Sequence, residues 1–174
     1  MSNGSDNESV SRPAAMMMLK YASDFYASAK PAQQPPPYSP KPYYDCCHAI
    51  ELALKAFLLA KGQTEQFLRR LGHDLVAALD EAERQGLSDH VQLTPEESQE
   101  LQKANKYYMR KGFEYFTLKA MVMSLEGRAD MGDLEVLKQS CERLTVGLDE
   151  VCRDALNDPS AGGSGIGLPN VRFS

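Results

Sequence analysis

Asp45-Cys46-Cys47-His48-Ala49-Ile50-Glu51-Leu52-Ala53-Leu54-Lys55-Ala56-Phe57-Leu58-Leu59-Ala60-Lys61-Gly62 is the stretch on which the fold turns. Ala, Leu, Glu and Lys are strong helix formers and a glycine closes the run, so residues 45–62 read as one helix. Ile50, Leu52, Ala53, Leu54, Ala56, Phe57, Leu58, Leu59 and Ala60 leave almost no direction around its axis without apolar atoms. Such a helix has to be covered on most sides, which makes it the central helix of a bundle. It is too short and too charged to cross a membrane.

Its polar residues form a line. Asp45, His48, Glu51 and Lys55 share about a third of the circumference at 100° per residue. Charged lines of this kind are usually solvated faces, here with a Glu51–Lys55 pair at i, i+4. The alternative is a polar groove on an otherwise buried helix.

Outward from this helix, the chain alternates helical patterns with breakers. Residues 1–12 are polar, lack periodicity and read as a disordered N-terminus. A first helix is expected from Pro13, with Met18, Ala22, Phe25 and Ala29 on its apolar face. Six prolines within residues 30–42 then read as a stiff connector, or as a Pro-rich recognition peptide. A short extra turn at Glu65–Leu71 precedes a helix over His73–Gln85, with Leu75, Leu79 and Ala82 on one face and Asp74 at its positive end. His73 is given a local role there, in capping or packing.

The next helix has the clearest start. Thr94-Pro95-Glu96-Glu97 supplies an N-cap, a first-turn proline and the glutamate of a capping box, and the helix runs to about Arg110 before Gly112. Residues 113–127 are ambiguous between helix and extended chain. Leu134, Leu137, Cys141, Leu144, Leu148, Val151 and Ala155 recur at spacings of three and four, which predicts one long helix over Asp133–Asn157. A Gly/Ser-rich tail, 158–174, reads as flexible. The fold class expected is therefore all-α: an up-and-down antiparallel bundle of four to five main helices in one domain, residues 13–157.

The 174 residues carry a net charge of −5, so no overall basic field draws in nucleic acid and any such binding has to be local. Cys46, Cys47, Cys141 and Cys152 lack zinc-knuckle spacing and read as reduced, buried thiols. No metal and no cofactor is expected. Without a charged segment leading into a long apolar run there is no secretory signal, and a cytoplasmic location is expected.

The string HAIELALKAFLLAKG (residues 48–62), the GHDL that follows at 72–75, and ANKYYMRKGFEY at 104–115 together resemble the HEPN domain, the nucleotide-binding helical domain of prokaryotes and higher eukaryotes. The resemblance covers residues 14–157. It implies a helical bundle, often dimeric, in nucleotide- or RNA-associated systems, with a nucleotidyltransferase or an antitoxin-like protein as partner. Catalytic members of that family are metal-independent endoribonucleases bearing an Arg-x4-6-His pair late in the bundle. Here no His follows His90, so the chain resembles a divergent member without that pair in its usual place.

Arg84 and His90 match the spacing formally, with five residues between them, but they lie where a helix frays into a loop. They are the only catalytic candidates, and weak ones, because so short a pattern arises readily by chance. A binding surface is the better-supported expectation. Asn105, Tyr108 and Lys111 recur every three residues on the fourth helix and face the line of His48, Glu51 and Lys55 if a gap lies between the two helices. Such a gap offers a cation for phosphate and a ring for a base. The neighbouring Tyr107, Arg110 and Tyr115 combine the same chemistry, or else pack as ordinary bundle residues. The reading is a non-catalytic HEPN-like binding or adaptor module, homodimeric through the last helix or its flanks. The alternatives are a toxin-like ribonuclease and a purely structural dimerisation protein.

Overall fold

The computed structural model describes residues 5–30, 39–114, 118–125 and 131–158. They form eight α-helices: α1 (Ser5–Ala29), α2 (Lys41–Ala60), α3 (Glu65–Leu71), α4 (Leu75–Arg84), α5 (Pro95–Tyr108), α6 (Leu118–Leu125), α7 (Leu134–Gly147) and α8 (Asp149–Asn157). A 3-10 turn at Leu87–Asp89 follows α4, and no strand occurs among the described residues. The connector at 31–38 and the tail at 159–174 lie outside them.

The central position of α2 follows from its composition. From Asp45 to Leu59 every residue is buried except His48, Leu52 and Lys55, which are half-buried. Helices α1, α4, α5, α7 and α8 all pack on it. Their directions can be read from residues that meet across them. Ser28, near the end of α1, bonds Asp45 near the start of α2, while Arg12 comes within reach of Gly62 beyond its end. Tyr108 at the end of α5 meets His48 and Glu51 in the first half of α2. Arg12 pairs with Asp158 at 2.9 Å, which ties the beginning of α1 to the end of α8. Helices α1 and α5 therefore run antiparallel to α2, and α8 runs antiparallel to α1.

Element boundaries depart from the sequence pattern at three places. Helix α1 begins at Ser5 and runs through Pro13, where a start at that proline is expected. A proline removes one backbone bond, not the helix, when the turn before it is held from outside, as Arg12 is. Helix α2 begins four residues before Asp45, with Pro42 in its first turn, where the missing N–H costs nothing. The last helix is interrupted at Leu148, with φ −96° and ψ 0°. The chain there packs so close to the loop before α5 that a Cβ on Gly147 would lie 2.3 Å from Val91 Cγ2. The backbone bonds Leu148 N–H to Leu144 and Cys152 N–H to Leu148 nevertheless carry α7 into α8.

The seam predicted for the last helix is spent on the chain's own core: Leu134, Leu137, Cys141, Leu144, Leu148 and Ala155 are buried, whereas Val151 is half-buried and its neighbour Cys152 is buried instead. All four cysteines are free and buried. Burial pushes the Cys47 and Cys141 thiols well above their ordinary value. No described helix is long and apolar enough to cross a membrane.

Candidate functional site

Glu51 is the centre of a hydrogen-bonded cluster between α2, α5 and the turn before α4. It is 3% exposed, a position in which an ionised carboxylate survives only with donors on both oxygens. Lys55, one turn along α2, donates to Oε1 at 2.6 Å and to the Gly72 carbonyl at 2.6 Å. The Tyr108 hydroxyl donates to Oε2 at 2.5 Å, and His73 Nδ1 lies 3.1 Å from the same oxygen. His48 Nδ1 stands 2.8 Å from the Tyr108 oxygen and 3.8 Å from Glu51 Oε2.

The chemistry of the partners fixes the protons. Tyr108 has one hydrogen and gives it to Glu51, so its oxygen accepts from His48, which carries its proton on Nδ1. A carboxylate accepts only, so His73 also carries a proton on Nδ1. Both rings thus turn their Nε2 edge away from Glu51. Burial alone would raise the Glu51 carboxyl, but the nearby His48 and the bonds from Lys55, Tyr108 and His73 outweigh it and hold the group well below the ordinary carboxylate range. Burial and the Glu51 charge push the Tyr108 phenol far above its ordinary value.

A second set of bonds locks the turn from the α5 side. Asn105 Oδ1 accepts the Leu75 N–H at 2.9 Å, and its Nδ2 donates to Asp74 Oδ1 at 3.0 Å. Asp74 in turn caps α4 by accepting from Val76 and Ala77. The Gly72–Asp74 turn is therefore held by Lys55 and Glu51 on one side and by Asn105 on the other.

The structure brings His48, Glu51, Lys55 and Tyr108 into direct contact and places Asn105 one turn away. The solvated strip expected of the α2 line does not form: the charged groups face inward and satisfy one another. Asp45 leaves the line and bonds Ser28 at 3.0 Å and Lys41 at 2.5 Å. Lys111 stands outside the cluster, exposed in the turn after α5, with φ +55°. His73 and Asp74 belong to the cluster, although their sequence context reads only as a helix start. No spacing in the sequence joins them to α2, since Glu51 lies twenty-two residues before His73.

His48 is packed by the edge of Phe25, with ring centroids 4.4 Å apart, and stacked by Tyr44 at 5.6 Å. Tyr107 is an ordinary bundle residue: with Tyr43 it sandwiches the buried Phe113, each centroid 5.8 Å away. Tyr115 lies outside the described residues. Arg84 and His90 are engaged separately. Arg84 folds back on α4 to Glu81 at 2.9 Å, whereas His90 lies against Phe57 and 3.4 Å from Lys61 Nζ. Among the described residues no group of three or more His, Cys, Asp or Glu could hold a metal ion.

The function of the chain has to be argued from this geometry, for no protein-family model, no curated protein and no solved structure matches it.

Proposed function

We propose that the chain is a non-catalytic, HEPN-like binding or adaptor module, and that the outer edge of the Glu51 cluster takes a nucleotide or the base of a single-stranded RNA. The observation that carries this reading is the anchoring of His73 on buried Glu51. With Nδ1 held 3.1 Å from Glu51 Oε2 and its side chain 56% exposed, the ring turns its Nε2 edge outward in a fixed orientation, and the neutral ring presents an acceptor there. An exocyclic amine or imino N–H of a nucleobase fits such an acceptor. Arg110 and Lys111, exposed just beyond Tyr108, have no ion-pair partner among the described residues and supply charge for phosphate. By the family resemblance, a nucleotidyltransferase or an antitoxin-like protein is the partner such a module serves.

Calorimetric titration of the full chain with nucleoside monophosphates and short single-stranded RNA tests the proposal. His73→Ala should weaken binding by about five- to tenfold, the worth of one lost hydrogen bond. Arg110→Ala with Lys111→Ala should weaken it further and flatten its salt dependence. Absence of binding at millimolar ligand overturns the reading. So does metal-free cleavage of the RNA, which would make the chain an enzyme.

A further inference from the structure

A cleft with no part in the Glu51 cluster lies between the loop after the 3-10 turn and the outer side of α7. Its volume is about 600 Å³, within the range of small-molecule sites. Gln139, Glu142, Arg143 and Val146 stand at i, i+3, i+4 and i+7, so they form one exposed stripe of α7 along it. His90, Val91 and Gln92 supply the facing wall. Gly147 has no side chain to hold Val91 away, and together with the 70% exposed Val146 these residues make one end of the cleft aliphatic. The cleft lies beyond the end of α2. Lys61 Nζ is 3.4 Å from His90 Nε2, and Lys61 is about 15 Å along the chain from Glu51 at the helical rise.

Two opposite charges line the cleft, each tethered through one atom. Arg143 gives its Nε–H to Glu97 Oε1 at 3.0 Å. Glu97, 1% exposed, is itself fixed, because its Oε2 accepts the Thr94 N–H in the capping box of α5. The two terminal amino groups of Arg143 have no hydrogen-bond partner among the described residues. Glu142 accepts the Tyr26 hydroxyl on Oε2 at 3.4 Å, and its other oxygen has no partner among the described residues.

We propose that this cleft binds a small zwitterionic peptide, a dipeptide with an aliphatic side chain. The paired opposite charges select it. A guanidinium tied down through Nε presents its outer N–H groups as a fork, which matches a carboxylate. Glu142, beside it on the same stripe, takes an ammonium and disfavours a ligand that brings only negative groups. The aliphatic end formed by Val91, Val146 and Gly147 covers a branched side chain. Gln92 and Gln139, one on each wall, offer amides to a peptide bond, and the volume favours a dipeptide over a single amino acid. The site does not depend on the nucleotide reading, since the two share no residue.

Titration of the isotope-labelled full chain with leucyl-leucine, followed by amide NMR shifts, tests the proposal, with circular dichroism checking that each variant keeps its helices. The amides of Val91, Arg143 and Gly147 should move with a dissociation constant of about 0.1–1 mM, ordinary for a ligand of this size, while those of Glu51 and Tyr108 stay. N-acetyl-leucyl-leucine lacks the ammonium and leucyl-leucinamide lacks the carboxylate, and each should bind about fivefold more weakly or worse. Glu142→Gln should abolish the preference for the unacetylated amine. Arg143→Lys, which keeps a cation beside buried Glu97, should reduce the preference for the carboxylate over the amide. Val146→Ser should narrow the gap between leucyl-leucine and glycylglycine. No shift at about 10 mM leucyl-leucine overturns the proposal. Ligand and residue changes whose effects simply add overturn it too, because the charges then do not meet. Sodium acetate that moves the same amides as strongly marks an anion site only, and equally overturns it.

Discussion

Glu51 shows how one residue can look like surface and behave as core. Its carboxylate receives Lys55, Tyr108 and the more exposed His73 directly, and truncating Lys55 or Tyr108 leaves it buried and underserved. Lys55 and Tyr108 therefore cannot be treated as ligand groups whose removal spares the fold. Glu51→Gln should destabilise the protein by about 3–5 kcal/mol, as for removing one member of a buried ion pair, and Tyr108→Phe by about 1.5–3 kcal/mol. The pH dependence follows from the shifts. A carboxyl held below its ordinary 4.5 contributes stability that is complete above that pH and is lost as pH falls toward the folded-state value. A phenol held above its ordinary 10.0 contributes stability that is complete below pH 10 and is lost as pH rises. Urea denaturation from pH 7 down to pH 3 should show the gap between wild type and Glu51→Gln narrowing below pH 4.5. Equal midpoints for the two proteins at pH 7 would contradict this account.

Among the elements, α5 was readable at its start and not at its end. Thr94 and Glu97 close the capping box through Glu97 N–H to Thr94 at 3.1 Å and Thr94 N–H to Glu97 at 2.7 Å, contacts local enough to be seen in four letters. Asn105 is the opposite case. Its partners, Leu75 and Asp74, lie about thirty residues away in sequence, and no spacing rule joins them. Its amide acts as a cap supplied by another helix. Asn105→Ala should cost about 1–3 kcal/mol by leaving the buried Leu75 N–H without an acceptor. Amide exchange at Leu75, Val76 and Ala77 should then accelerate well beyond the global loss of stability. Exchange that rises uniformly across the protein would show instead that the α4 start does not depend on this residue.

For the whole molecule, α2 is the shared wall of every neighbour, so its backbone should open only when everything opens. Amides from Ile50 to Leu59 are expected to exchange at the free energy of global unfolding, while those of Arg153–Asn157, mostly exposed, exchange sooner. An α2 that exchanges as fast as α8 would mean the bundle is not one cooperative unit. The sequence by itself determined the all-α class, the central helix, the capping residues and which side chains share a face, because helix propensity, caps and the 3.6-residue period are properties of a few neighbouring residues. Only the tertiary structure decided whether the line of His48, Glu51 and Lys55 looks out to water or into the protein, since periodicity groups residues on a face without saying what that face meets. The same limit applies to Arg84 and His90, whose spacing matched while their side chains took separate partners. It applies equally to His73, whose role depends on a carboxylate twenty-two residues earlier. The interruption at Leu148 belongs there too, because it coincides with the close approach of Gly147 to Val91, two segments far apart along the chain that meet only when the bundle is closed.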